Sequence, residues 1–146
     1  MNSRAFIEKI TAVSGFTESA GVEVEQVEKG RVVLRLARKK TLTQFNGFFH
    51  GGAISGLADH AAGAAATSAL GEGLIAVTVD LQINFMEPAN SDALVAEATV
   101  IKSGKLLSVV SVKLRNSTAS SGNSDNDQTL CALATVTLRN VDSPAI

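Results

Sequence analysis

Residues 44–60 read Gln44-Phe45-Asn46-Gly47-Phe48-Phe49-His50-Gly51-Gly52-Ala53-Ile54-Ser55-Gly56-Leu57-Ala58-Asp59-His60. Residues 38–49 have no clear period and read as loop. Residues 51–70 are long, apolar and rich in alanine, which favours helix over strand. The segment is apolar nearly all round, so it should be buried on most sides. Ala53, Gly56, Ala58, Ala61, Ala62 and Gly63 are small enough to let a sheet approach closely. Gly71 and Gly73 are expected to end the helix.

The flanking segments read mostly as strands. Ser3 or Asn2 caps a short helix reaching to about Val13, and Gly15 and Gly21 punctuate the chain after it. Val22 and Val24 alternate with Glu23 and Glu25. Lys29-Gly30 is a turn, and Val32, Leu34 and Leu36 form the returning strand of a hairpin. Residues 75–86 alternate most regularly. Ile75, Val77, Val79, Leu81, Ile83 and Phe85 are expected on one face, with Ala76, Thr78, Asp80, Gln82 and Asn84 on the other. Three more strands are expected at 93–102, 106–115 and 130–139. Residues 116–128 are Ser/Asn/Asp-rich and are expected to form a mobile excursion.

The order is helix, two strands, long helix, four strands. One helix cannot cover both faces of a six-stranded antiparallel sheet. The simplest architecture is therefore α+β, with the sheet wrapped around the central helix. The 146 residues fit a single domain, with 1–20 as an N-terminal helical segment. A net charge of −1 gives no reason to expect nucleic acid or an acidic membrane surface as partner. The lone cysteine, Cys131, lies in an apolar run and reads as a buried hydrophobe. Few histidines and a single cysteine argue against a metal site. Charged residues interrupt the first 21 positions, so no signal peptide is expected and the reading is cytoplasmic.

Asp59 is the sharpest chemical signal. Burying an unpaired carboxylate costs several kcal/mol, so Asp59 is exposed, paired or kept for function. His50-Gly51-Gly52 stands where loop becomes helix. Glycines there leave backbone N–H donors bare, and the positive helix end suits a carbonyl oxygen gaining charge. The plain alternative is a glycine-containing helix entry, with His50 as a cap. His60 points to a different face from Asp59 and reads as structural.

Taken together, Gln44-x5-His50-Gly51-Gly52-x6-Asp59 and the strand from Thr78 to Pro88 resemble the hotdog-fold acyl-CoA thioesterases. The resemblance is to the PaaI-like branch of the 4-hydroxybenzoyl-CoA thioesterase superfamily, over about residues 21–141. It implies that Asp59 is the helix carboxylate, acting as nucleophile or general base. Gly51 supplies the N–H that polarises the thioester carbonyl, and Gln44 orients the carbonyl or the water. His50 supports the loop, and the Thr78 hydroxyl holds water near the carboxylate. Some relatives carry a threonine one turn after the carboxylate, where this chain has Gly63. Gly52, Asn46 and Phe49 are expected beside the acyl group, and the turn Lys102-Ser103-Gly104-Lys105 beside the CoA phosphates. Arg38, Lys39 and Lys40 are alternatives for the phosphates. The resemblance implies no cofactor beyond the CoA of the substrate. It further implies a homodimer or homotetramer whose active sites are shared between subunits. Two rival readings are a non-catalytic acyl-CoA-binding module and a hydratase or dehydratase on the same fold, which would use a histidine base.

Overall fold

The computed structural model describes residues 3–118 and 128–146. The chain opens with α1 (Arg4–Ala12), capped by the Ser3 hydroxyl accepting from the Phe6 N–H, and a short α2 (Phe16–Ala20). Next come β1 (Val22–Glu28), β2 (Arg31–Ala37), a 3-10 turn (Lys40–Leu42) and the long α3 (Gly51–Ala69). The chain closes with β3 (Leu74–Phe85), β4 (Ala93–Ser103), β5 (Leu107–Ser117) and β6 (Leu130–Asp142). The strands form one antiparallel sheet in the order β1-β2-β4-β5-β6-β3. This is the expected hotdog arrangement, with α3 packed across β2, β3, β4 and β5.

The core forms between the alanine-rich side of α3 and one face of the sheet. Ala53, Leu57, Ala58, Ala61, Ala62 and Ala65 meet Leu34, Leu36, Leu94, Ala96, Val110, Val112 and Val136. Cys131 is buried here, and burial pushes its thiol pKa up.

Three expectations are corrected. First, α3 does not end on a left-handed glycine. It ends on Leu70, which is extended and donates its N–H to the Thr67 carbonyl. The glycine with positive φ is Gly73, in the turn into β3. Second, the period of β3 is broken. Thr78 pairs with Leu138 but Asp80 pairs with Thr137, so Val79 is an extra, bulged residue. Ala76 and Thr78 therefore face α3 before the bulge, and Leu81 and Ile83 join the core after it. Thr78 is not opposite the core face, as strict alternation required. Third, β5 runs on through Asn116 and Ser117, and of the expected excursion residues 119–127 lie outside the described residues.

The two borders of the sheet differ. On β1, the Arg4 guanidinium donates to the carbonyls of Val24 and Glu25 at 3.0 and 2.9 Å. Among the described residues, β3 pairs only with β6, and Val77 and Val79 are exposed along it. Among the described residues, no helix is long and apolar enough to cross a membrane.

Candidate active site

The loop before α3 is a chain of tight turns. The Gln44 carbonyl accepts from the Gly47 N–H at 2.9 Å, and the Gln44 N–H donates to the Phe48 carbonyl at 2.8 Å. Gly47 has φ +83°, which favours glycine there. The Asn46 side-chain oxygen accepts from the Phe48 N–H at 3.1 Å. Asn46 is thus a turn-former whose carbonyl oxygen is already used. The Phe49 ring is 1% exposed and belongs to the core, so the expected contact with substrate has no open surface to act through. Phe45 is 98% exposed. Among the described residues, the Gln44 amide reaches only the Phe49 carbonyl, at 3.5 Å, the long limit of a hydrogen bond, so it can turn toward a ligand.

His50 caps α3. Its backbone is extended, with φ −65° and ψ 139°, and its Nδ1 accepts from the Gly52 N–H at 2.8 Å. The Ala53 and Ile54 N–H groups bond to the His50 carbonyl. The Gly51 N–H has no acceptor among the described residues. The helix therefore opens with one unpaired donor at its positive end, suited to an oxygen that gains negative charge. The ring of Phe85 packs beside it, 3.4 Å from where a Gly51 Cβ would sit.

Two turns along, the Thr78 hydroxyl donates to Asp59 Oδ1 at 2.6 Å. No bond to Oδ2 occurs among the described residues, so that oxygen is available to a ligand. Asp59 is half-buried, on the flank of α3 where Thr78 of β3 meets it. At 100° per residue, Gly52 and Gly56 share that side, whereas Gly63 lies against the Ala76 oxygen and Leu138 of the sheet. The next residue, His60, turns toward α1. The Thr11 hydroxyl gives its proton to the Ile7 carbonyl at 2.8 Å, so it accepts from His60 Nε2–H at 2.8 Å. Burial holds the His60 pKa below 6.5, with the Asp59 charge pulling the other way. One histidine is thus a cap and the other ties two helices together. Neither arrangement suits the histidine base of a hydratase.

The CoA candidates lie at opposite ends of the sheet. The α3 C-terminal end meets the Gly30 turn, where the Gly30 N–H bonds Ser68 and the Gly30 carbonyl bonds the Val100 N–H. The turn Lys102–Lys105 lies beyond that point, away from its own Gly51. Arg38 is at the other end, its N–H bonded to the Asp92 carbonyl beside Ala37 and Ala93. Arg38, Lys39 and Lys40 line an open cleft of about 760 Å³ with Gln44, Phe45 and Gly47. Among the described residues, no group of three His, Cys, Asp or Glu could hold a metal ion.

The Thioesterase superfamily model matches residues 46–121, just over half of the chain. A Saccharolobus solfataricus protein classed by name among the esterases is 36% identical over 114 residues, 78% of this chain and 69% of that one. A 1,4-dihydroxy-2-naphthoyl-CoA hydrolase of Listeria monocytogenes is 30% identical over 71% of this chain and 85% of its own. A thioesterase family protein from Silicibacter pomeroyi superposes with TM-score 0.85 at 28% identity, over 94% of this chain and 96% of that one. The Escherichia coli PaaI protein, at 23% identity, shares the fold with TM-score 0.75, over 95% of this chain and 96% of its own. The helix-wrapping sheet, the unpaired donor at Gly51 and the Asp59–Thr78 pair thus sit in a chain that belongs to the thioesterase superfamily, as a thioester hydrolase of the hotdog fold.

Proposed function

We propose that the protein hydrolyses an acyl-CoA carrying an aromatic or short- to medium-chain acyl group. The observation that carries this is the Asp59–Thr78 pair on the helix whose first N–H is unpaired. The Gly51 N–H donates to the thioester oxygen and stabilises it as charge develops. Asp59 takes a proton from the attacking water, or attacks the carbonyl carbon itself. Collapse of the intermediate breaks the C–S bond. In the first route the acyl group leaves as the carboxylic acid; in the second it stays on Asp59 as a mixed anhydride, which a water molecule then hydrolyses to the carboxylic acid and the free Asp59 carboxylate. In both, the sulfur leaves with a proton as free CoA. Thr78 holds Oδ1, so that Oδ2 faces the substrate. The naphthoyl-CoA named for the Listeria relative supports an aryl substrate class.

One chain does not make one site. Gly51 and Asp59 are eight residues apart, about 12 Å along a helix. A reacting carbonyl spans much less, since its oxygen lies about 3 Å from the donor and its carbon about 3–3.5 Å from the attacking atom. The lean of the Asp59 side chain toward the helix N-terminus does not close that gap. A two-fold axis at the open β3 border sets two α3 helices antiparallel, and Gly51 of one chain then approaches Asp59 of the partner subunit. The functional unit is accordingly a homodimer, or a tetramer of such dimers. The CoA phosphates lie in the Arg38–Lys40 cleft beside Gln44, and the 102–105 turn contributes where a neighbouring subunit brings it in.

The test is release of free thiol from a panel of acyl-CoAs. Asp59→Asn should lose nearly all turnover while still folding. A variant that hydrolyses at the parent rate would remove Asp59 from the mechanism.

A further inference from the structure

The mechanism gives no role to the aromatic ring that rests on α3 three residues before Asp59. Phe16, in α2, is 55% exposed. Its ring lies directly on the backbone of α3. A Cβ on Gly56 would stand 2.5 and 2.7 Å from the ring's Cζ and Cε1, closer than atoms pack. Gly56 precedes Asp59 by three residues, so the two share a helix face. The ring is not there by accident of a loose terminus. Gly15 and Gly21 delimit α2, and the Thr17 hydroxyl donates to the Thr11 carbonyl at 2.8 Å. Thr11 in turn is bonded to His60 on α3.

Phe16 and β3 therefore flank the same side of α3. That side bears Gly52, Gly56 and Asp59, with Gly56 beneath the ring. β3 meets it with Thr78 at Asp59 and Phe85 at Gly51. We infer that Phe16 is the side wall of the acyl groove and sets the largest acyl group the enzyme accepts, with Gly56 kept bare so that the ring can lie against the helix. This rests on the thioesterase reading above. A flat apolar wall fits both the aryl and the short-chain acyl classes. It opposes longer or branched chains by direct overlap, because one methylene in a filled pocket is worth roughly 10- to 200-fold in kcat/KM.

The experiment compares kcat/KM across acetyl-, butyryl-, hexanoyl-, decanoyl- and benzoyl-CoA for the parent, Phe16→Ala and Phe16→Trp. Phe16→Ala should raise the ratio of the first acyl group the parent rejects to the best one it accepts, by about tenfold or more. Phe16→Trp should lower the same ratio. A parallel fall for every substrate in both variants would mean that Phe16 only supports the fold, and an unmoved ratio would mean that the wall lies elsewhere. Either result overturns the inference. Titration with non-hydrolysable acyl-CoA thioethers reads the same wall through Kd. If the parent binds these but turns nothing over, the hydrolysis reading fails separately, and a shift of the preferred chain length in Phe16→Ala still decides the role of the ring.

Discussion

Gly51→Pro is a backbone substitution that the local geometry accommodates. Proline removes the N–H and nothing else that α3 needs, because that donor has no acceptor among the described residues. The first helical position is where proline is best tolerated. The residue before a proline must be extended, and His50 already is, with ψ 139°. The nearest atom to an added Cβ is the Phe85 Cζ at 3.4 Å, an ordinary contact. Stability should therefore change little, while the oxyanion loses its donor. Loss of one such donor costs about 2.7–4 kcal/mol of transition-state stabilisation, roughly 100- to 1,000-fold in kcat. The assay is thiol release at saturating acyl-CoA, with the melting temperature as control for folding. A parent-like kcat in a folded Gly51→Pro protein would refute the oxyanion role. The same variant tests the shared site. Co-expressed with Asp59→Asn, random pairing makes half the dimers mixed, and each mixed dimer holds one intact site of two, so about a quarter of parent activity returns. If Gly51 and Asp59 act within one chain, the mixture stays as inactive as its components.

Three further outcomes concern the helix itself. His60 is held neutral by burial, so the unfolded chain takes up a proton that the folded chain resists. Its contribution to stability is intact above 6.5 and is lost as pH falls from there through the lowered folded value. His60→Gln keeps a donor for Thr11 and cannot titrate, so its melting temperature should fall less between pH 7.5 and 5.5 than the parent's; equal slopes would exclude His60 as the cause. Gly63→Ala fits, since the nearest atoms to its Cβ, the Ala76 oxygen and Leu138 Cδ2, are 3.9 Å away. It should gain about 0.5–1 kcal/mol of helix stability, whereas Gly56→Ala should gain only once Phe16 is also alanine. Equal gains at Gly56 with and without the ring, measured by chemical denaturation, would show that Phe16 does not rest there.

Much of the fold could be read in advance because its signals are local. The Ser3 cap, the Lys29-Gly30 turn and the alanine-rich α3 each depend on residues within one turn of one another. Asp59 stood out for the same reason, as a charge where alanine would pack. The misreadings were of another kind. A bulge has no residue type of its own, and Val79 continues the alternation of its neighbours, so only the pairing with β6 reveals that Thr78 faces Asp59. The Phe49 ring and the Asn46 side chain look available in a loop, but three-dimensional packing and the Phe48 N–H use them. The distance of the 102–105 turn from Gly51 depends on strand order, which carries β3 past β4 to the far border. Phe16 could not be connected with α3 from spacing, since forty residues separate it from Gly56 and nothing between them predicts the contact.

The unequal borders of the sheet have a consequence for stoichiometry. An open border on both sides would let copies add indefinitely, and a growing ribbon would precipitate. Here Arg4 occupies two carbonyls at the β1 side, next to a bulge that bends the strand, so that side offers no template. Among the described residues, β3 is the border left open. A surface that recruits through a single self-complementary side closes after one addition, so under the proposed pairing at β3 a continuous sheet would hold two chains, with Arg4 closing the other border.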